Sequence, residues 1–302
     1  MSRVLAPLIE PGFFGSSPVH VALLIGGLVA VVSGIVGTFT VMRGQSYAGH
    51  ALADLSVTGG SGSVLIGISP LWGFAGTSVA AAGIMDMIGI RRPRGRDLAT
   101  GIVRGAGLGL AALLLYWDTL HTSTTGATVT ILFGSIFTID SSVIPVIAAF
   151  SVAAVGIVAL LYRPLLLSSV SSDLAAVRGI PVRIAGALCL VAIALAVSLS
   201  AMTIGAILST ALLVGPAAAA IRLTSRPGLV MIWSALIGLA ATWLGVVLAY
   251  DSFYWPPARK GWPVSFFVVV LVLIFYLLAQ ARSPRRPARP EPDGTRSCSP
   301  AS

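Results

Sequence analysis

The chain has 302 residues, of which 56% are hydrophobic and only 10% are charged, whereas soluble domains carry roughly 25% charged residues. Several apolar runs of about 20 residues could each cross a bilayer as a helix, so the composition excludes an ordinary soluble domain. The net charge of +9 comes from arginines in short breaks and in the C-terminal tail. Because no basic and aromatic surface accompanies this charge, we expect no nucleic-acid partner. The composition predicts an all-α polytopic membrane protein.

In chain order, the apolar runs predict eight or nine transmembrane helices. The nine segments lie near 18–41, 48–68, 71–90, 97–117, 142–162, 183–201, 203–222, 228–249 and 262–281. A shorter piece, GATVTILFGSIFTID at 126–140, is too short to span and is expected to be re-entrant or interfacial. We expect residues 1–281 to form one transmembrane domain. The tail at 282–302, rich in Pro, Arg and Ser, is expected to be disordered.

The distribution of arginines predicts the orientation in the membrane. If the three arginine-bearing breaks between the helices and the basic tail are cytoplasmic, only Arg3, Arg259 and Lys260 remain outside. This bias follows the positive-inside rule and places the N-terminus outside and the C-terminus in the cytoplasm.

The longest internal break contains the segment SSDLAAVRG, which has the signals of a short helix. Ser171 or Ser172 can cap the helix, Asp173 lies in its first turn, and Gly179 suits the position just after its end. We expect a short cytoplasmic helix over about 173–178. Composition alone favours an ordinary loop helix at the membrane interface.

The second apolar run carries a polar strip. If residues 47–66 are helical, His50, Asp54, Thr58 and Ser61 share one face. An aspartate at membrane depth costs several kcal/mol unless it is paired, which makes it a candidate functional residue. One imidazole nitrogen and one carboxylate suit Zn²⁺ or Mn²⁺ better than Ca²⁺ or Cu⁺. The alternative is a His–Asp pair that satisfies itself and only holds the bundle together.

Two further polar residues, Asp118 and His121, lie in the stretch YWDTLHTSTTG, which we interpret as an outer loop. They are weaker candidates for assisting metal access, and solvated surface residues would look the same. The run GGSGS does not fit the G-x-S-x-G pattern of hydrolases, and the chain lacks the Walker A pattern G-x-x-x-x-G-K-[ST]. We therefore expect no enzymatic activity in this chain.

Four segments, in order, resemble the ABC-3 permeases, the membrane subunits of bacterial zinc and manganese ABC importers. GTFTVMRGQSYAGHALADLSVTGG (Gly37–Gly60) is similar to the signature of their second span, and LFGSI (Leu132–Ile136) is similar to a later motif. SSDLAAVRGIPVR resembles their cytoplasmic segment, and TIGAILSTALLVGPAAAAIRL (Thr203–Leu223) resembles a downstream span. The matches together cover most of the chain from about 37 to 250.

One departure from the family pattern concerns the polar strip. The aspartate of the family sequence G-D-A-L-S-H falls on His50, and its histidine falls on Asp54. The two ligand types are thus exchanged between neighbouring turns of one helix face. One histidine and one carboxylate remain four residues apart, while the ligand geometry changes.

The resemblance implies a permease subunit in the bacterial inner membrane that imports zinc or manganese. It implies that His50 and Asp54 contact the metal at an outer gate, that Thr58 and Ser61 line the pathway, and that the transported ion is the only metal involved. It also implies a permease homodimer embedded in membrane lipid, cytoplasmic ABC ATPase subunits and an extracytoplasmic metal-binding protein. The segment expected to couple to the ATPase contains Asp173, Leu174, Ala175 and Gly179.

Three other functions remain open from the sequence. A proton-coupled secondary metal transporter could use His50 and Asp54 as a proton relay. An ABC permease for metal chelates would tolerate a wider path, and a structural membrane protein would transport nothing.

Overall fold

The computed structural model describes residues 17–89, 95–122, 126–134, 136–171, 175, 177–253 and 261–282. These residues form eleven α-helices and two 3₁₀ turns, and no strand occurs among them. The helices are α1 (Ser17–Met42), α2 (Ser46–Ile66), α3 (Pro70–Gly89), α4 (Gly95–Thr122), α5 (Gly126–Phe133), α6 (Ile144–Leu160), α7 (Tyr162–Val170), α8 (Val182–Ile204), α9 (Ala206–Leu223), α10 (Pro227–Ser252) and α11 (Val264–Arg282). The 3₁₀ turns are Ile136–Thr138 and Ser141–Val143.

Six helical segments in the described part of the chain are long and apolar enough to cross a membrane. They are α1, α6 with the 3₁₀ turn before it, and the four helices α8 to α11. The helices α2, α3 and α4 are at least 20 residues long and pack into the same bundle. The expected fold class, an all-α polytopic membrane protein, is confirmed.

The centre of the bundle is formed by α1 and α8, and small residues allow their close packing. Every residue from Ala192 to Ala201 of α8 is buried. Ser33 of α1 and Ser200 of α8 share a hydrogen bond of 2.8 Å, and Ser234 of α10 donates to the Gly34 carbonyl oxygen at 2.8 Å. Small residues and buried hydroxyls are how helices associate where the hydrophobic effect between them is weak.

The contacts of α2 with α8 show that these helices run in the same direction. The Cys189 thiol lies 3.7 Å from the Gln45 side-chain oxygen, and Gly49 packs beside Ile193. The segment from Gln45 to Gly49 therefore runs alongside the segment from Cys189 to Ile193 in the same direction. His50 is consequently level with about the middle of α8.

The two ends of the bundle are marked by different contacts. At the α7 end, Arg43, just after α1, donates to the Ser168 hydroxyl of α7 at 2.6 Å. At the opposite end, which we call the Gly205 end, Gly134 and Gly205 meet with φ angles of 76° and 94°. A Cβ on either glycine would lie within 2.6 Å of the other segment's backbone, so this crossing requires glycine on both sides.

Two helix boundaries differ from the sequence prediction. A helix, α7, follows α6 almost directly, where a break from residue 163 was expected. Pro164 has no N–H with which to bond the Leu160 carbonyl, so the helix is interrupted at Leu161 and then continues. The expected span at 97–117 likewise continues to Thr122. In both places polar residues mark the end of an apolar window but not the end of the helix.

Candidate functional site

The polar strip of α2 faces α4 because the other sides of α2 carry small residues that pack against the rest of the bundle. Gly49 lies beside Leu213 of α9, and Gly59 crosses Gly73 of α3 so closely that a Cβ on either would lie 2.0 Å from the other's carbonyl oxygen. These contacts fix the rotation of α2. They leave the face of His50, Asp54 and Thr58 toward α4.

His50 is exposed near the start of α2, and one of its ring nitrogens is engaged. Nδ1 lies 3.0 Å from the Ser46 carbonyl oxygen. Because a carbonyl oxygen only accepts, this is a hydrogen bond when the proton is on Nδ1, which leaves the lone pair on Nε2. A neutral imidazole oriented through one nitrogen in this way is prepared to bind a metal through the other.

Asp54 lies one turn further along α2 and forms an ion pair with Arg104 of α4. The Arg104 Nε donates to Asp54 Oδ2, and the Asp54 side chain is 19% exposed. The Arg104 guanidinium also lies over the Tyr47 ring, 5.9 Å from the ring centroid. The carboxylate is therefore neutralised by a cation that touches two residues of α2.

Thr58 and Ser61, the two other residues of the strip, have different surroundings. Thr58 Oγ1 donates to the Gly107 carbonyl oxygen of α4 at 2.9 Å. Ser61 is fully buried and donates to the Val57 carbonyl oxygen of its own helix at 2.7 Å. The contacts between α2 and α4 along this face thus run from Tyr47 to Thr58.

The described part of the chain contains no group of three or more His, Cys, Asp and Glu side chains that could hold a metal ion together. The strip offers two ligand groups on successive turns of one face. His50 and Asp54 bond to different partners, Ser46 and Arg104. These separate partners do not support the alternative in which the pair only satisfies itself.

The two residues assigned to an outer loop lie in α4. Asp118 is 1% exposed in the penultimate turn of that helix, so the expectation of a solvated loop residue is wrong. His121 belongs to the last turn of α4, and its side chain is outside the described ones. The loop was inferred from the polar residues after Tyr116, but the helix continues through them, with Thr119 donating to the Leu115 carbonyl oxygen.

Asp140 precedes the second 3₁₀ turn and acts as its cap. The Ser142 N–H donates to Asp140 Oδ1 at 3.0 Å, and this hydrogen bond lowers the pKa of the carboxyl below its ordinary value. Asp140 therefore has a structural role in the turn before α6. It provides a carboxylate far from the strip for comparison with Asp54.

The segment expected to couple to an ATPase is described in part. Ala175 is fully buried, and its carbonyl oxygen accepts from the Ile180 N–H at 3.1 Å. Gly179 has a φ of 73°, as the residue after a helix often does. Asp173 and Leu174 lie outside the described residues.

Arg104 was not recognised from the sequence. The signal was available: Arg104 lies seven residues inside the run 97–117, which was expected to be a transmembrane helix. An ionisable residue at such a position needs a partner, and an aspartate in a neighbouring span is the obvious one. The orientation was predicted only from arginines in the breaks between helices, and Arg104 lies inside a predicted helix.

The bundle of long apolar helices is that of a multi-pass membrane protein. The family model described as "ABC 3 transport family" matches residues 17–281. The chain belongs to this family and is therefore a membrane component of an ABC transporter, as the sequence resemblance indicated.

Individual relatives agree with this membership. The chain is 27% identical over 243 residues to the manganese transport system membrane protein MntC of Listeria monocytogenes, covering 80% of this chain and 85% of the relative. It is 30% identical over 236 residues to the manganese import system permease protein ScaB of Streptococcus parasanguinis, covering 76% and 81%. A solved structure of PsaBC from Streptococcus pneumoniae in complex with Fab superimposes with a TM-score of 0.77 and 26% identity, over 90% of this chain and 94% of that one.

Proposed function

We propose that this chain is the permease subunit of an ABC importer for a divalent transition metal, and that His50 and Asp54 contact the ion. The observation that carries the proposal is the strip itself, which presents an imidazole oriented through Nδ1 and a carboxylate on successive turns within a helix bundle. The names of the relatives, which specify manganese, favour Mn²⁺ over Zn²⁺ as the cargo.

The proposal requires partners that this chain does not supply. Two ligand groups are fewer than the four to six that Zn²⁺ or Mn²⁺ takes. Two copies of the permease facing each other would bring two such pairs to one pathway, and an external metal-binding protein would deliver the ion. Thr58 is proposed to line the path beside the pair, and Ser61 to support it from within α2.

A cytoplasmic ATPase is proposed to bind the segment around 173–179. This segment leads directly into α8, which runs beside α2. Arg43 joins the corner between α1 and α2 to α7 through Ser168. A displacement of the segment can therefore reach the strip through α8 and through this hydrogen bond. If the ATPase binds this segment, the α7 end of the bundle is cytoplasmic, the N-terminus is outside and the C-terminus is inside.

The test is metal uptake by proteoliposomes that contain the permease and its ATPase. His50→Ala and Asp54→Asn are each expected to reduce ATP-driven Mn²⁺ uptake by about tenfold or more, because each removes one ligand. His20→Ala and Asp140→Asn are matched controls, since both side chains are exposed and lie off the strip. Asparagine also caps helical turns nearly as well as aspartate.

The outcomes separate the alternatives. Uptake at the wild-type rate in both strip variants would contradict the metal contact and favour a chelate permease. Uptake driven by a pH gradient without the ATPase would contradict the ABC mechanism and favour a proton-coupled transporter. Competition between Zn²⁺ and Mn²⁺ in the same vesicles identifies the preferred ion.

A further inference from the structure

The ion pair between Asp54 and Arg104 has a consequence for any cation that reaches the strip. Arg104 carries a permanent positive charge, and it already occupies the Asp54 carboxylate. A divalent ion binding to Asp54 would meet this charge at a distance of a few ångströms. The two cations therefore compete for one carboxylate.

We propose that Arg104 is a resident cation that holds Asp54 while the strip is empty and releases it when a metal ion binds, keeping its contact with the Tyr47 ring. This inference rests on the proposed function and adds a residue that sets the affinity of the metal contact. Arg104 does not touch the metal in this scheme, so it is a positioning residue.

The surroundings of Arg104 allow this displacement. Its guanidinium already lies over the Tyr47 ring, 5.9 Å from the ring centroid, so one favourable contact would remain after the guanidinium releases Asp54. The Arg104 side chain is 35% exposed, which gives it room to move, whereas that of Asp54 is 19% exposed. A bare carboxylate in this half-buried setting would be costly, and the arginine removes that cost in the metal-free state.

The packing of α4 keeps Arg104 at the level of Asp54. Leu55 of α2 fills the space beside Gly107, where a Cβ would lie 2.2 Å from its Cδ2. Thr58 bonds the Gly107 carbonyl oxygen one turn beyond Arg104. The opposite side of α4 is exposed at Ile102 and Leu113. The helix is thus fixed against α2 by contacts at and beside the strip, and metal binding there would act on the contact between the two helices.

A resident cation also explains how an ion could leave again. A pathway must bind its ion strongly enough to take it up and weakly enough to release it. Return of the guanidinium to Asp54 would expel the metal, with no proton transfer and no change in ligand identity. We therefore expect removal of Arg104 to tighten binding and slow transport together.

The test uses the full-length permease purified in detergent, with Mn²⁺ alone as the probe and binding followed by loss of the EPR signal of the free aqueous ion. Arg104→Gln is expected to bind Mn²⁺ about tenfold more tightly than the wild type. Arg104→Lys, which keeps the charge, is expected to stay close to the wild type. Arg222→Gln is the control, because Arg222 is exposed at the end of α9 and lies away from the strip.

A double variant assigns the effect to Asp54. Arg104→Gln combined with Asp54→Asn is expected to bind no more tightly than Asp54→Asn alone. Unchanged or weaker binding by Arg104→Gln, or a gain that persists without Asp54, would overturn the proposal. If Arg104→Gln fails to fold, Arg104→Met, which also removes the charge, replaces it: tighter Mn²⁺ binding by this variant would support the proposal, and unchanged or weaker binding would overturn it.

Uptake kinetics distinguish this inference from the proposed function. In proteoliposomes with the ATPase, Arg104→Gln is expected to lower both KM and kcat for Mn²⁺. A wild-type permease that transports no Mn²⁺ contradicts the proposed function itself. Normal wild-type uptake with unaltered KM and kcat in Arg104→Gln contradicts only the role of Arg104.

Discussion

Each polar side chain of the strip is stabilised by a contact that also restricts what it can do. His50 uses Nδ1 on the Ser46 carbonyl oxygen, Asp54 is held by Arg104, and Thr58 bonds the backbone of α4 at Gly107. The first of these contacts lies within α2, whereas the other two join α2 to α4. The strip therefore serves as a binding surface and as a helix–helix contact at once.

Thr58→Val tests the contribution of the strip to stability. Valine keeps the shape of threonine but cannot donate to the Gly107 carbonyl oxygen, which is 2.9 Å from Oγ1. We expect a loss of about 1 kcal/mol in the free energy of unfolding, measured by thermal unfolding in detergent. Thr119→Val is the comparison, because Thr119 donates to the Leu115 carbonyl oxygen within its own helix and joins no second helix, so its loss should cost less. Equal effects of the two changes would contradict an interhelical role for Thr58.

At the scale of elements, the rotation of α2 is set by glycine contacts and determines which residues reach α4. The crossing of Gly59 with Gly73 brings α2 and α3 closer than any side chain would permit. Helices that approach this closely gain van der Waals contact along their length. The position of the strip is therefore a result of packing on the opposite side of α2.

Gly59→Ala tests that dependence. The added Cβ would lie 2.0 Å from the Gly73 carbonyl oxygen, so the backbones must separate. We expect destabilisation of about 1–3 kcal/mol, together with weaker Mn²⁺ binding because α2 shifts relative to α4. Gly76→Ala on α3 is the control, since no atom lies within 4 Å of its Cβ position. There alanine should be neutral or stabilising by up to about 1 kcal/mol. Similar thermal unfolding of both variants would contradict the packing argument.

The sequence predicted the positions of most long helices, but it did not predict which helices contact one another. Length and apolarity located α1 and α8 to α11 to within a few residues, and the four-residue spacing placed His50, Asp54 and Thr58 on one face. Neither property states which helix that face meets, because the partner is fixed by tertiary packing. Polar residues were also taken as helix ends, which misplaced Asp118 in a loop.

At the scale of the whole molecule, the arrangement of helices makes the proposed orientation testable. The turn before α6 and the Gly205 corner lie at one end, while the connection between α9 and α10 lies at the other with α7. Gly228, at the start of α10, is close to the Tyr162 hydroxyl, which places that connection at the α7 end. The arginine distribution predicts that this end is cytoplasmic.

Labelling of single cysteines with a membrane-impermeant maleimide tests the orientation. In a background with Cys298→Ser, Ser141→Cys is expected to react in intact cells, and Ser225→Cys is expected to react only after permeabilisation. Both serines are exposed, and the remaining Cys189 is buried. The background variant without an added cysteine is the control. The reverse labelling pattern would contradict an outside N-terminus and a cytoplasmic α7 end.

The corner at Gly205 has a mechanical consequence. Only this residue separates Ile204, the end of α8, from Ala206, the start of α9, and the backbone of Gly134 lies against it. A one-residue connection allows rotation but little translation, so the two helices would rotate about it as about a hinge. For an arm of about 34 Å, a rotation of about 5° moves the far end by about 3 Å while the corner stays in place. Motion driven from the α7 end would therefore decrease toward the Gly205 end. The middle of α8, which is level with His50 of α2, would move by about half as much as the α7 end of α8.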